Sequence, residues 1–71
     1  MFEDIFTKIK IEYDVLSNKW ESKDAFFWLS LIIRYLGKGT TSSTREEYHE
    51  EMIKAAACII IAIKRSEKEF K

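Results

Sequence analysis

Proline is absent from this chain, and glycine occurs only twice, at Gly37 and Gly39. Helix-breaking residues are therefore confined to one short stretch, and the remainder is free to run in uninterrupted helices. Cysteine occurs once, as Cys58, which excludes an intramolecular disulfide. Lying in the apolar stretch 55–63, that thiol is expected to be buried packing in a reducing compartment. Histidine also occurs once. His49 sits in Arg-Glu-Glu-Tyr-His-Glu-Glu, the setting of a solvated helix residue, and no Ser-His-Asp, Cys-His or zinc pattern can be assembled around it. An excess of one charge is missing too. Lys and Arg number 12 and Asp and Glu number 12, so no whole-molecule field draws in nucleic acid or an anionic membrane surface. The longest apolar run, 55–63, is bounded by Lys54 and Lys64 and falls well short of the roughly 20 residues a membrane span needs. The opening Met-Phe-Glu-Asp is acidic where a signal peptide is basic, so the expected location is the cytoplasm.

What is present is apolar side chain. Hydrophobic residues make up 46% of 71 residues and aromatics 14%, in a chain of a length that buries only about 60% of its unfolded surface. One domain over 1–71 is expected, and its surplus apolar surface points to self-association.

Apolar residues recur at Phe2, Ile5, Ile9, Tyr13, Leu16 and Trp20, a spacing of three or four that predicts a first helix over roughly 3–21. Ser22-Lys-Asp24 then offers N-cap candidates for a second segment, 25–36, apolar almost all round and ending at Gly37, a natural residue just past a helix end. A strand over this Phe- and Ile-rich run is the alternative, but twelve residues are long for a strand and no hairpin partner follows. Both tryptophans, Trp20 and Trp28, are expected to be largely buried. Residues 37–44 read as a loop closing on Thr44-Arg-Glu-Glu47, a capping-box pattern that opens a third helix reaching about residue 69. Its apolar face is expected to run through Tyr48, Met52, Ala55, Ile59, Ala62, Ser66 and Phe70, broadened by Ile53, Ala56, Ile60 and Ile63 enough to touch two neighbours. The expected fold is all-α, an antiparallel bundle unit of about three helices completed by oligomerisation.

Gly37-Lys-Gly-Thr-Thr lacks the spacing of a phosphate loop and follows a helix rather than a strand. Glu46, Glu47, Glu50 and Glu51 offer pairs of carboxylates for a divalent cation, although acids at a helix start ordinarily serve its dipole.

The order and spacing of Lys19-Trp20, Phe27-Trp28-Leu29-Ser30, Gly37, Tyr48, Glu50-Glu51, Ala56-Ala57 and Ile63 resemble the short MazG-like nucleotide pyrophosphohydrolases of phages and bacteria, over roughly residues 9–65. The resemblance implies an all-α fold that works as a dimer or tetramer. It also implies two acidic motifs, Glu-Glu-x-x-Glu and Glu-x-x-Asp, that hold Mg²⁺ against a nucleoside triphosphate. Here the first motif falls on Arg34, Tyr35 and Lys38, so all three glutamates are replaced. In the second, Glu51 is retained and Lys54 stands at the aspartate position. One carboxylate among three cations repels a hard divalent ion, which disfavours metal-assisted hydrolysis. The resemblance thus implies a non-catalytic site without a metal or other cofactor, in which Arg34, Lys38 and Lys54 contact phosphates around Glu51. Tyr35, Tyr48 or Trp28 would stack on a base. Its ligand would be a nucleotide or another phosphate-bearing small molecule, such as a nucleotide signal of host defence. The alternatives are a helical module for a protein partner, with Glu51 paired to Arg34 or Lys38, and residual Mg²⁺-dependent hydrolysis.

Overall fold

Three helices account for most of the chain in the computed structural model, which describes residues 2–69: α1 Phe2–Lys19, α2 Ala25–Thr40 and α3 Arg45–Glu69. No strand occurs among the described residues. α3 is the central element. It packs against both α1 and α2, whereas those two make no close backbone contact with each other. Its 25 residues, at about 1.5 Å of rise each, account for the 39 Å long dimension of the molecule. The chain runs up, down and up. The N–H of Ala25, at the start of α2, donates to the carboxylate of Glu69 at the end of α3, 3.0 Å to Oε2. α1 runs alongside α3 in the same direction, with Lys8 and Glu12 beside its first half.

The core joins Leu16 of α1, Trp28, Leu31 and Ile32 of α2, and Ala57, Cys58 and Ile61 of α3. Small residues of α3, Ala57 and Cys58, share this core with the fully buried indole of Trp28. Trp20, Phe27 and Trp28 meet edge to face, with ring centroids 5.4 to 6.1 Å apart, which ties the end of α1 to the start of α2. The Trp28 Nε1–H has no hydrogen-bond partner. Leaving such a donor dry costs about 1–3 kcal/mol, less than the roughly 3–5 kcal/mol that a buried indole contributes relative to alanine.

α2 does not stop at Gly37; it continues through both glycines to Thr40, and neither glycine has a positive φ. The stop comes from hydroxyls. Thr41 Oγ1 and Ser42 Oγ donate to the Lys38 carbonyl at 3.1 and 3.0 Å, and Thr40 Oγ1 donates to that of Gly37 at 2.7 Å. Side chains thereby satisfy carbonyls that a further helical turn would have used. Gly39 has a packing role instead, because a Cβ there would lie 2.5 Å from Cε of Met52. The predicted loop shrinks to residues 41–44.

α3 begins where expected, but with a divided cap. The Glu47 N–H donates to Thr44 Oγ1 at 3.1 Å, while the Glu47 carboxylate reaches back to Ser43 rather than to Thr44. Its buried stripe is rotated by about one residue: Ala55, Ala57, Cys58 and Ile61 are inside, whereas Tyr48, Ile59, Ile60 and Ile63 are exposed. Apolarity alone gave no phase to a helix that is apolar on two sides. Phe70 lies outside the described residues. On α1, Phe2 and Ile5 are exposed. Trp28 is fully buried, and Trp20, more than half buried, packs against the end of the core.

Candidate functional site

The C-terminal half of α2 and the first half of α3 place charged side chains from all three helices around one phenol. Tyr35 projects from the same side of α2 as Trp28 and Ile32 and packs, half-buried, against the rim of the core. The Lys38 ammonium lies 5.8 Å from its ring centre and that of Lys54 5.9 Å, one from α2 and one from α3. The Tyr35 hydroxyl is held above its ordinary pKa, chiefly by burial, then by Cys58, Glu51 and Glu12, while Arg34 acts in the opposite sense. Those influences map the surroundings: α1 contributes Glu12, α2 Arg34 and Lys38, and α3 Glu51, Lys54 and Cys58.

Two solvent-open depressions flank this point. The larger, about 450 Å³, runs between α1 and α3 and is lined by Lys8, Ile11, Glu12, Glu46, His49, Glu50, Ile53 and Lys54. The smaller, about 280 Å³, lies at the α2–α3 turn and holds Lys38 with Glu47, Glu50 and Glu51.

The fold thus brings Tyr35, Lys38, Lys54 and Glu51 together and sets Arg34 within electrostatic reach. It does not bring the other two rings there. Trp28 has no exposed surface and cannot offer a face to a ligand, and Tyr48 stands exposed on the first turn of α3 beside His49, outside the linings of both depressions. The neighbourhood is also more acidic than three cations around one carboxylate. Glu12 enters from α1, and Glu47 and Glu50 share the depression of Lys38. Glu12 was missed because only the parallel packing of α1 on α3 brings it across. Its one sequence signal is a place on the flank of the first apolar stripe, four residues after Lys8.

Neither Lys38 nor Lys54 is in an ion pair, since the one salt bridge among the described residues is Lys10 with Asp14 on α1, at 3.0 Å. Among the same residues, no three His, Cys, Asp or Glu side chains converge as the ligands of a metal ion would. No described helix is long and apolar enough to cross a membrane. No protein-family model, curated protein or solved structure matches this chain.

Proposed function

We propose that this chain is a non-catalytic helical protein that binds a phosphate-bearing ligand, a nucleotide by class, in the crevice around Tyr35. The observation that carries this reading is the approach of Lys38 and Lys54 to one ring from two helices, with neither ammonium in an ion pair. Each ammonium offers three donors, and phosphate oxygens suit them. The adjoining 450 Å³ depression is within the range of small-molecule sites, about 300–1,000 Å³, and leads from Lys54 along α1. The glutamates on its rim restrict where an anion can sit to the strip between the two lysines. The resemblance to pyrophosphohydrolases supports the nucleotide class and suggests sequestration of a nucleotide signal, in the cytoplasm, by a homo-oligomer.

Thermal-shift titration with inorganic phosphate, mononucleotides and cyclic nucleotides, with and without Mg²⁺, tests the reading. A nucleotide at about 100 times its Kd adds roughly 2.7 kcal/mol to stability. The expected result is protection that EDTA leaves unchanged. Lys54→Ala and Lys38→Ala should each weaken it about tenfold, since a charge-assisted contact contributes roughly 1.5–3 kcal/mol. Glu51→Gln should strengthen it. Absence of protection by any nucleotide, together with a lower Tm for Arg34→Ala, would overturn ligand binding; Mg²⁺-dependent turnover lost in Glu51→Gln would overturn the non-catalytic assignment. A second reading, a module for protein partners, is favoured by the exposed apolar side chains of α2 and α3.

A further inference from the structure

We infer that a second copy of this chain docks on the α2–α3 face opposite α1, through the stripe of Leu29, Ile33 and Leu36 on α2 and Ala56, Ile59 and Ile63 on α3. This rests on the reading of the chain as a homo-oligomer and adds which surface is shared. α2 carries two apolar stripes. One, Ala25, Trp28, Ile32 and Tyr35, enters the chain's own core. The other, Leu29, Ile33 and Leu36, stays in solvent, with Ile33 63% exposed. On α3, Ala56, Ile59 and Ile63 repeat the same alternation of four and three residues, and Ile63 is 57% exposed. That alternation is the seam of packed helix bundles.

Both stripes lie on one side of the hairpin. Phe27 meets Trp20 of α1 at 5.4 Å, and at 100° per residue Leu29 and Ile33 point about 120–160° away from it. On α3, Glu50 and Lys54 line the depression shared with α1, and Ile59 and Ile63 fall on the far flank. No charged residue interrupts either stripe.

The area fits a copy of the same face. Six side chains, the five larger ones 43–63% exposed, present about 500 Å² of apolar surface. A standard interface takes about 800 Å² from each partner, of which about 65% is apolar in homodimers. A two-helix layer facing its own two-fold copy makes a four-helix bundle, an arrangement in which one surface is complementary to itself. α1 and the Tyr35 crevice then remain outside the interface.

Light scattering coupled to gel filtration tests this on the full chain. The expected mass is a multiple of 8.4 kDa for the wild type and 8.4 kDa for Ile33→Glu and for Ile63→Glu. Val15→Glu, at an exposed position of α1, should keep the wild-type mass. Circular dichroism confirms that the variants stay helical; should Ile33→Glu unfold, Ile63→Glu carries the test. A monomeric wild type would overturn both the oligomer and the face. An oligomer that survives Ile33→Glu and Ile63→Glu but dissociates in Val15→Glu would overturn the face alone.

Discussion

Replacing Gly37 by alanine puts the course of α2 to a test in which the sign of the effect decides. In the structure Gly37 is an exposed, interior helical residue with negative φ, and a Cβ added there meets no heavy atom within 4 Å. Alanine is favoured over glycine inside a helix by about 0.8–1 kcal/mol, and nothing steric offsets that gain here. For a domain of this size, about 1 kcal/mol moves Tm by roughly 4–8 °C. Thermal unfolding followed by circular dichroism should therefore show Gly37→Ala several degrees above the wild type, with no loss of helix. Were Gly37 the left-handed residue closing a helix at Leu36, alanine would instead cost roughly 1–2 kcal/mol and lower Tm. A fall in Tm would refute the continuous helix. Gly39→Ala is the internal control: its Cβ would meet the end of the Met52 side chain at 2.5 Å, so its gain should be smaller than that of Gly37→Ala and be restored when Met52 is shortened.

Trp28→Ala should cost about 3–5 kcal/mol in chemical denaturation, and Trp28→Phe clearly less, since phenylalanine keeps most of the packing and removes the unpartnered N–H. Cys58, fully buried with its thiol pushed up to about 11, should resist thiol reagents at pH 8 until the chain is unfolded. Because the folded chain holds that proton more tightly than the unfolded one, this stabilising contribution is complete below pH 9.0 and lost as pH rises to about 11, so alkaline melts should shift downward across that window. Asp24→Ala removes the side chain that accepts the Phe27 N–H at 2.9 Å and should cost about 1 kcal/mol, read from the same melts.

The helices were legible in the sequence because α2 and α3 carry their own boundary chemistry, Asp24 before α2 and Thr44 before α3, and α1 carries three-and-four spacing. What misled was a local signal read in isolation. Gly37 looks like a helix end only when the hydroxyl run 40–44 is ignored, yet three of those hydroxyls cap the carbonyls of Gly37 and Lys38, one turn further on. The phase of α3 was hidden for a different reason. A helix apolar on two sides gives its periodicity no preferred origin, and only the packing of the three helices turns Cys58 inward and Ile59 out.

For the site, the resemblance implied that Arg34, Lys38 and Lys54 meet around Glu51, with Tyr35 among the candidate rings, through an assumed meeting of two helices. The structure supplies that meeting, with both ammonium groups within 6 Å of the ring centre. Charge balance was harder to read, because a carboxylate counts at a site only if tertiary packing brings it close, and Glu12 arrives from a helix that contributes no motif. Its presence changes what the crevice can hold. With Glu12, Glu47, Glu50 and Glu51 around Arg34, Lys38 and Lys54, the crevice carries no net positive charge, so an anion is favoured only directly at the ammonium groups and not wherever it lands. On the proposed reading, specificity has to come from position: the ring of Tyr35 and the apolar walls at Ile11 and Ile53 would orient the rest of a ligand so that its phosphate falls between Lys38 and Lys54. Bare inorganic phosphate, which lacks that second anchor, should accordingly protect the chain far less than a nucleotide at the same concentration.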